Sequence, residues 1–484
     1  MLRILLALPL AGALLVLLLP GRAGQLIRWV AIATTLATVV LAVFLTAGFD
    51  PARSDIQYFQ SHVWNPRLGG SFALGVDGIS LPLVLLSTVL CLVAIIASHT
   101  IRERIKAYYL LMLLLQAPLL GVFTARDWSL FYVFWELTLI PLLFLINYWG
   151  GEQRQRAALN FVIYTMGGSV FMLITLLALY DMSAGQNFGM QELELAAHSL
   201  PVATQTILFA GLFIGFGVKM PVVPMHGWLP LAHVEAPIPV SILLSGILLK
   251  MGSYGMIRAA GLLPDAVQLL SQWLAAAAIV SILYGAVLAW RQSDIKAMIA
   301  YSSVSHMGVV LFALATLSTA GMTGAVMQMV AHGLVAGMLF LFAGLLYDRV
   351  HTRDLNDIGV LTVNAPRLAF VASFAFIAAI GLPGSVGFVA ELHTFYAGLA
   401  SFGAWVALFG IGILISSSYA LRTIGHLLVG TSGRPPQQLT DLSRTEAIAV
   451  SILGTGILVL GIWPAPALTL MQASVENIAG LFVP

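Results

Sequence analysis

Apolar runs of about twenty residues follow one another along almost the whole chain, and this succession limits the fold more than any other feature. An α-helix rises about 1.5 Å per residue, so roughly 20 mostly apolar residues cross the roughly 30 Å of hydrocarbon in a bilayer. Runs that meet this test lie at 2–20, 26–47, 77–98, 108–124, 128–148, 157–180, 204–224, 237–261, 267–290, 297–317, 322–346, 366–396, 403–426 and 446–465. They predict an all-α polytopic membrane protein of about fourteen transmembrane helices. Composition agrees: 60% of the 484 residues are hydrophobic and 9% are charged, which excludes both a soluble enzyme and a disordered chain. The net charge of +2 is too small and scattered for nucleic-acid binding, and the one cysteine, Cys91, excludes a disulfide framework.

The pieces between runs are too short for a soluble domain, so residues 1–484 are read as one membrane domain. The first run is read as a retained span, because its apolar stretch is long and a second span begins within a few residues. Basic residues set the orientation. Segments after odd-numbered spans carry Arg22, Arg102, Arg104, Lys106, Arg154, Arg156, Arg291, Lys296, Arg349, Arg353, Arg367, Arg434 and Arg444. Segments after even-numbered spans carry Arg126, Arg258, and Arg53 with Arg67. The odd side is therefore expected to be cytoplasmic, with both termini outside, in a bacterial inner membrane.

Four ionisable residues interrupt the spans: Glu136 in FYVFWELTLIP, Lys219 in GFGVKMPVVP, Lys250 in LLSGILLKMGSYG and Glu391 in GFVAELHTF. Each costs about 2.5–3.5 kcal/mol at mid-bilayer on insertion scales, so they are read as functional. A structural role is the alternative for each. Glu136 would brace a neighbouring helix, Lys250 would snorkel to an interface, and Glu391 would sit near an aqueous surface. Lys219 is harder to explain away, since the chain breaks directly after it. Burial favours the neutral forms of amines and carboxyls, so such groups gain and lose protons as neighbouring charges change. His306 in SSVSHMG and His332 in MVAHGLVAG supply intermediate steps, with hydrogen-bonded core histidines as the alternative. His226 and His233 in MHGWLPLAH are placed near an interface. No metal-ligand spacing such as HExxH occurs.

Pro221 and Pro224 break the seventh span, and Gly381, Pro383, Gly384 and Gly387 break the twelfth. Irregular backbone at that depth is tolerated where it faces protein or a water-filled cavity. The breaks are five spans apart, an odd offset that reverses direction, so helices 4–8 and 9–13 are read as inverted repeats. The division is then 1–107 for the first three helices, 108–261 and 267–426 for the repeats, and 446–465 for the last helix. Kinked packing without transport is the alternative. No CxxC set, GxGxxG after a strand or Walker motif occurs, so the chain is expected to bind no cofactor and to move ions only by a gradient or a partner.

Six stretches carry a family resemblance: FALGVDGISLPLVLL (72–86), FWELTLIPLLFLINYWGG (134–151), KMPVVPMHGWLPLAHVEAP (219–237), GILLKMGSYGMIR (246–258), IAYSSVSHMG (299–308) and GLPGSVGFVAE (381–391). With them the chain resembles the antiporter-like membrane subunits of complex I-type NADH:quinone oxidoreductases, of the subunit M or mitochondrial chain 4 type. The resemblance implies a proton relay. Glu136 would modulate Lys219, Lys250 would be the central lysine, His306 and His332 would lead toward the exit, and Glu391 would be the helix-twelve group. The glutamate there is what distinguishes the M type from its sister subunits. It also implies partners: sister antiporter-like subunits, with NAD, flavin and iron–sulfur clusters in other subunits. Family members commonly carry aspartate where this chain has Leu231, and Pro237-Ile238-Pro239 also departs from the pattern. The alternatives are a subunit of a multi-subunit sodium/proton antiporter, a divergent complex I-like assembly linked to a hydrogenase or to carbon dioxide uptake, and a structural scaffold.

Overall fold

The computed structural model describes residues 1–67, 69–359, 361–430 and 439–482. Arg434, one of the orientation charges, lies outside them. The chain is an all-helical polytopic membrane protein. Among the described residues, twelve helices are long and apolar enough to cross a membrane, and Leu2–Leu18 and Pro366–Ala379 are shorter apolar helices. One of the twelve, Val386–Val429, is interrupted where Gly403 takes φ +55° between Val386–Phe402 and Val406–Val429.

Burial separates the centre from the rim. The apolar windows of Ile238–Leu262 and Thr319–Val350 are entirely buried, whereas those of Val386–Val429 and Arg444–Ile462 are only 22% buried and present their sides to lipid. Thr319–Val350 has 32 residues and no proline, so it is about 48 Å long, well beyond the hydrocarbon thickness. Ser318 caps its start by accepting the Gly321 N–H. At its far end, Arg349 forms a buried ion pair with Glu446 at 2.7 Å and donates to the carbonyls of Thr440 and Asp441.

Both expected breaks are present. Val202–Lys219 ends, and after an irregular stretch Trp228–Glu235 resumes. Pro366–Ala379 ends, and Val386–Phe402 resumes after Gly381 and Gly384 at φ +66° and +95°, backbone conformations that glycine adopts without a Cβ clash. A third irregularity has no marker in the sequence: a π-turn, Leu244–Leu248, one turn before Lys250.

One end of the bundle holds a buried ion triad, with Asp77 and Arg126 just outside the spans and Arg258 near the end of Ile238–Leu262. Asp77 pairs with Arg258 at 2.6 Å and Arg126 at 3.3 Å. Burial opposes the charge on Asp77, but the two guanidiniums and the Ser80 backbone overcome it and hold the carboxyl well below the usual carboxylate range. A cavity of about 470 Å³, lined in part by Asp77, Arg126, Glu194 and Arg258, opens beside it. The same end carries features the sequence reading lacks. These are two short antiparallel pairings (Gln57–Gln60 with Leu74–Val76, Val63–Asn65 with Gly70–Ser71) and the helices Met190–His198 and Ala465–Ala479.

Candidate functional site

Lys219 is the last residue of Val202–Lys219 and is 1% exposed. A cation there meets the negative end of the helix dipole. Its Nζ donates to the Trp135 carbonyl and to Thr138 Oγ1, both at 3.3 Å, and lies 3.9 Å from the centre of the Trp135 ring. Both acceptors lie at the interruption of the span Trp128–Trp149 at Thr138, just before Pro141, whose missing N–H leaves the Leu137 carbonyl without its helical donor.

Glu136 follows Trp135, whose carbonyl takes this ammonium, but is not itself paired with it: no ion pair within 4 Å joins them, and Glu136 Oε1 is buried with no hydrogen-bond partner. Its helix neighbours Leu137 and Ile140 are exposed, so Glu136, half-buried, sits toward the flank of the bundle.

Lys250 is fully buried. Its Nζ donates to the Ser245 carbonyl at 2.6 Å and lies 2.5 Å from His332 Nδ1. The π-turn loosens the helical ladder at Ser245 and turns that carbonyl toward the ammonium. Lys250 and Lys219 lie on helices held close by glycine. A Cβ on Gly252 would stand 2.6 Å from the Met220 nitrogen, and one on Gly255 would stand 2.5 Å from the Phe216 ring.

His332, at the middle of Thr319–Val350, stands 5.3 Å ring to ring from His306. Both line a cavity of about 20 Å³ together with Ser302, Gln328 and Glu391. That volume admits about one water, and His332 Nε2 and Gln328 Oε1, buried without partners, are suited to bind it. Glu391, half-buried, leans on the second break: a Cβ on Gly381 would collide with its carboxylate. The structure thus gathers Lys250, His332, His306 and Glu391 into one cluster and places Lys219 and Glu136 a helix away.

Two buried groups were misplaced by the sequence reading. His233, expected near an interface, is 0% exposed, with neither ring nitrogen partnered, and stacks on Phe340 at 4.6 Å. Lys296, counted as a loop charge, lies in the first turn of Ile295–Ala315 and is 4% exposed. It donates to the carbonyls of Val234 and Ala236 at 3.2 and 2.7 Å, the end of the second piece of the broken helix. Lys296, Glu235, Asp348 and Arg353 line a cavity of about 330 Å³ at the end of the bundle opposite the Asp77 triad. The signal in the sequence was scarcity: three of only four lysines are buried.

Comparison with known proteins places this arrangement. Residues 125–416 match the family model described as NADH:quinone oxidoreductase/Mrp antiporter, transmembrane. NAD(P)H-quinone oxidoreductase chain 4 of Picosynechococcus sp. is 37% identical over 98% of this chain and 90% of its own length. The chain 4 protein of Microcystis aeruginosa is 40% identical over 87% and 78%. A chain of respiratory complex I from Thermus thermophilus superposes with TM-score 0.91 at 30% identity, covering 100% of both chains. A chain of the Mrp complex from Dietzia sp. superposes with TM-score 0.86 over 98% of both, at 20% identity, a likeness of fold alone. With its lysines and carboxyls at two helix breaks and relatives of the chain 4 type along its length, the chain belongs to the NADH:quinone oxidoreductase/Mrp antiporter family of membrane subunits.

Proposed function

We propose that this chain is the proton-translocating, non-redox antiporter-like subunit of a complex I-type quinone oxidoreductase. Redox chemistry in partner subunits, which hold the nicotinamide, flavin and iron–sulfur groups, drives protonation changes along Glu136, Lys219, Lys250, His332, His306 and Glu391. The observation that carries the reading is the 2.5 Å contact between fully buried Lys250 and His332, which joins the helices of the first break to those of the second. An amine and an imidazole that close share one proton readily and hold two at a cost in mutual repulsion. A proton arriving at one therefore displaces the other toward His306 and the Glu391 cavity. Charge on Lys219 acts across the Gly252 contact, and Glu136 tunes that charge from the flank. The cavity beside Lys296 and Glu235, with the unpartnered nitrogens of His233 behind it, supports a hydrated approach to Lys250 from that end.

We take the chain to cross a bacterial inner membrane fourteen times, with helices 4–8 and 9–13 as inverted repeats and both termini outside. The Lys296 cavity is then cytoplasmic and the Asp77 cavity external. The quinone oxidoreductase reading is preferred over a sodium/proton antiporter for two reasons. The relatives at 35–40% identity are chain 4 proteins, and the breaks offer amines and one carboxylate rather than the oxygen cage a sodium ion needs. Lys219→Ala in the assembled complex tests the proposal. Proton pumping is expected to fall, and electron transfer with it, whereas pumping at the wild-type rate would end it.

A further inference from the structure

Between the mid-membrane amine of Lys219 and the external ion triad stands an unbroken stack of aromatic rings. The Trp135 ring carries Lys219 Nζ on its face at 3.9 Å. Phe131 follows at 5.7 Å between centroids, with Phe216 closing the side at 5.6 Å from Trp135 and 6.1 Å from Phe131. Tyr254 comes next at 6.5 Å, backed by Phe123 at 5.4 Å. The far face of Tyr254 lies 4.8 Å from the Arg258 guanidinium, which pairs with Asp77 at 2.6 Å. All five rings are at most 1% exposed. The column thus ends on a cation at each face, Lys219 at mid-membrane and Arg258 at the outer cavity.

Resting on the proton-relay reading, we propose that this column is the outward seal of the first repeat. By denying water a route from Lys219 to the Asp77 cavity, it sends that half's proton sideways toward Lys250 and the second repeat. Rings packed at these separations leave no room for a water wire, and no hydrogen-bonded chain passes through them. Trp135 Nε1 has no partner among the described residues, and the Tyr254 hydroxyl bonds the Phe123 carbonyl at 3.5 Å and the Arg258 guanidinium, with no hydrogen bond to the rings between it and Lys219. The second repeat offers the contrast, since its carboxylate borders a cavity rather than a ring. The cations at the ends add an electrostatic lock. Each is held on a ring face, an interaction that strengthens as water is removed, and a proton crossing the column must pass both positive charges. Phe131 is the central element, because it touches Trp135, Phe216 and Tyr254.

The test is passive proton conductance of liposomes holding the whole purified complex, with no electron donor, under an imposed pH gradient read by an internal dye. Phe131→Ala opens a cavity large enough for water and is expected to raise conductance about tenfold. Phe131→Leu, which keeps the column apolar and mostly filled, is expected to stay within about twofold of wild type. Phe312→Ala removes an equally buried ring from another part of the bundle and is expected to leave conductance unchanged. Tyr254→Ala carries the same expectation as Phe131→Ala and serves if that variant fails to assemble. Adding Lys219→Ala to Phe131→Ala is expected to return conductance toward wild type, because the leak then lacks its inner proton donor. Assembled Phe131→Ala or Tyr254→Ala complexes that leak no more than Phe312→Ala would overturn the seal. Lys219→Ala complexes that pump normally would overturn the relay instead, so the two failures are told apart.

Discussion

The two broken helices do related jobs by opposite means. At the first, prolines stop the helix and an ammonium sits on its negative end, fully buried against a tryptophan face. At the second, glycines at positive φ stop the helix, and a half-buried carboxyl sits beside a cavity with room for about one water. Glu391 lies more than one turn into Val386–Phe402, beyond the strongest part of the helix dipole. The lesson is a division of labour. On the proton-relay reading, the dry, walled amine holds charge and acts at a distance, whereas the carboxyl beside the cavity exchanges protons. On the same reading, Lys250 and His332, in direct contact, form the junction between the two.

The largest test of this comparison cuts at that junction. Lys250→Ala is expected to lower proton pumping by at least about a thousandfold, equivalent to about 4 kcal/mol in barrier, measured by dye quenching in inverted vesicles. Residual pumping near wild type would mean that the halves work independently. The next change removes the carboxylate at the centre of the Asp77 triad. Asp77→Asn leaves Arg126 and Arg258 buried without their counter-charge and is expected to destabilise the chain by about 3 kcal/mol, read as the thermal midpoint of the detergent-solubilised complex. Because Asp77 titrates below its ordinary range in the fold, its stabilisation is complete above that range and is lost only as pH falls through the lowered value. The gap between wild type and variant should therefore be constant from about pH 5 to 8 and close only in stronger acid. The smallest effect sharpens the glycine break. Gly381→Ala meets both a positive φ and the Glu391 carboxylate, whereas Gly384→Ala meets a positive φ with open space around it. The expected costs are about 2 and about 1 kcal/mol in the same melting assay, with pumping impaired only in the first.

The spans, both breaks and the charges between them were legible in the sequence because hydrocarbon tolerates so little else: a lysine or a proline in an apolar run stands out. His233 was not legible. It follows three prolines and a histidine in a stretch that reads as a surface turn, and it is buried in the bundle with its ring stacked on Phe340. Lys296 was lost for a related reason. Two residues after the cap Asp294 it reads as a loop charge, yet it folds back to hold the carbonyls of Val234 and Ala236. The π-turn at Leu244–Leu248 had no proline or charge to mark it. The aromatic column is a fact of three dimensions, its rings coming from four separate spans.

Thr319–Val350 has one more consequence. Arg349 fastens its end to Glu446 and to two carbonyls, and His332 lies 17 residues away along a rod without a proline, about 26 Å. A beam that stiff cannot be pushed at its tip without shifting at its waist. A displacement of the Arg349 latch is therefore carried along the rod to the imidazole facing Lys250.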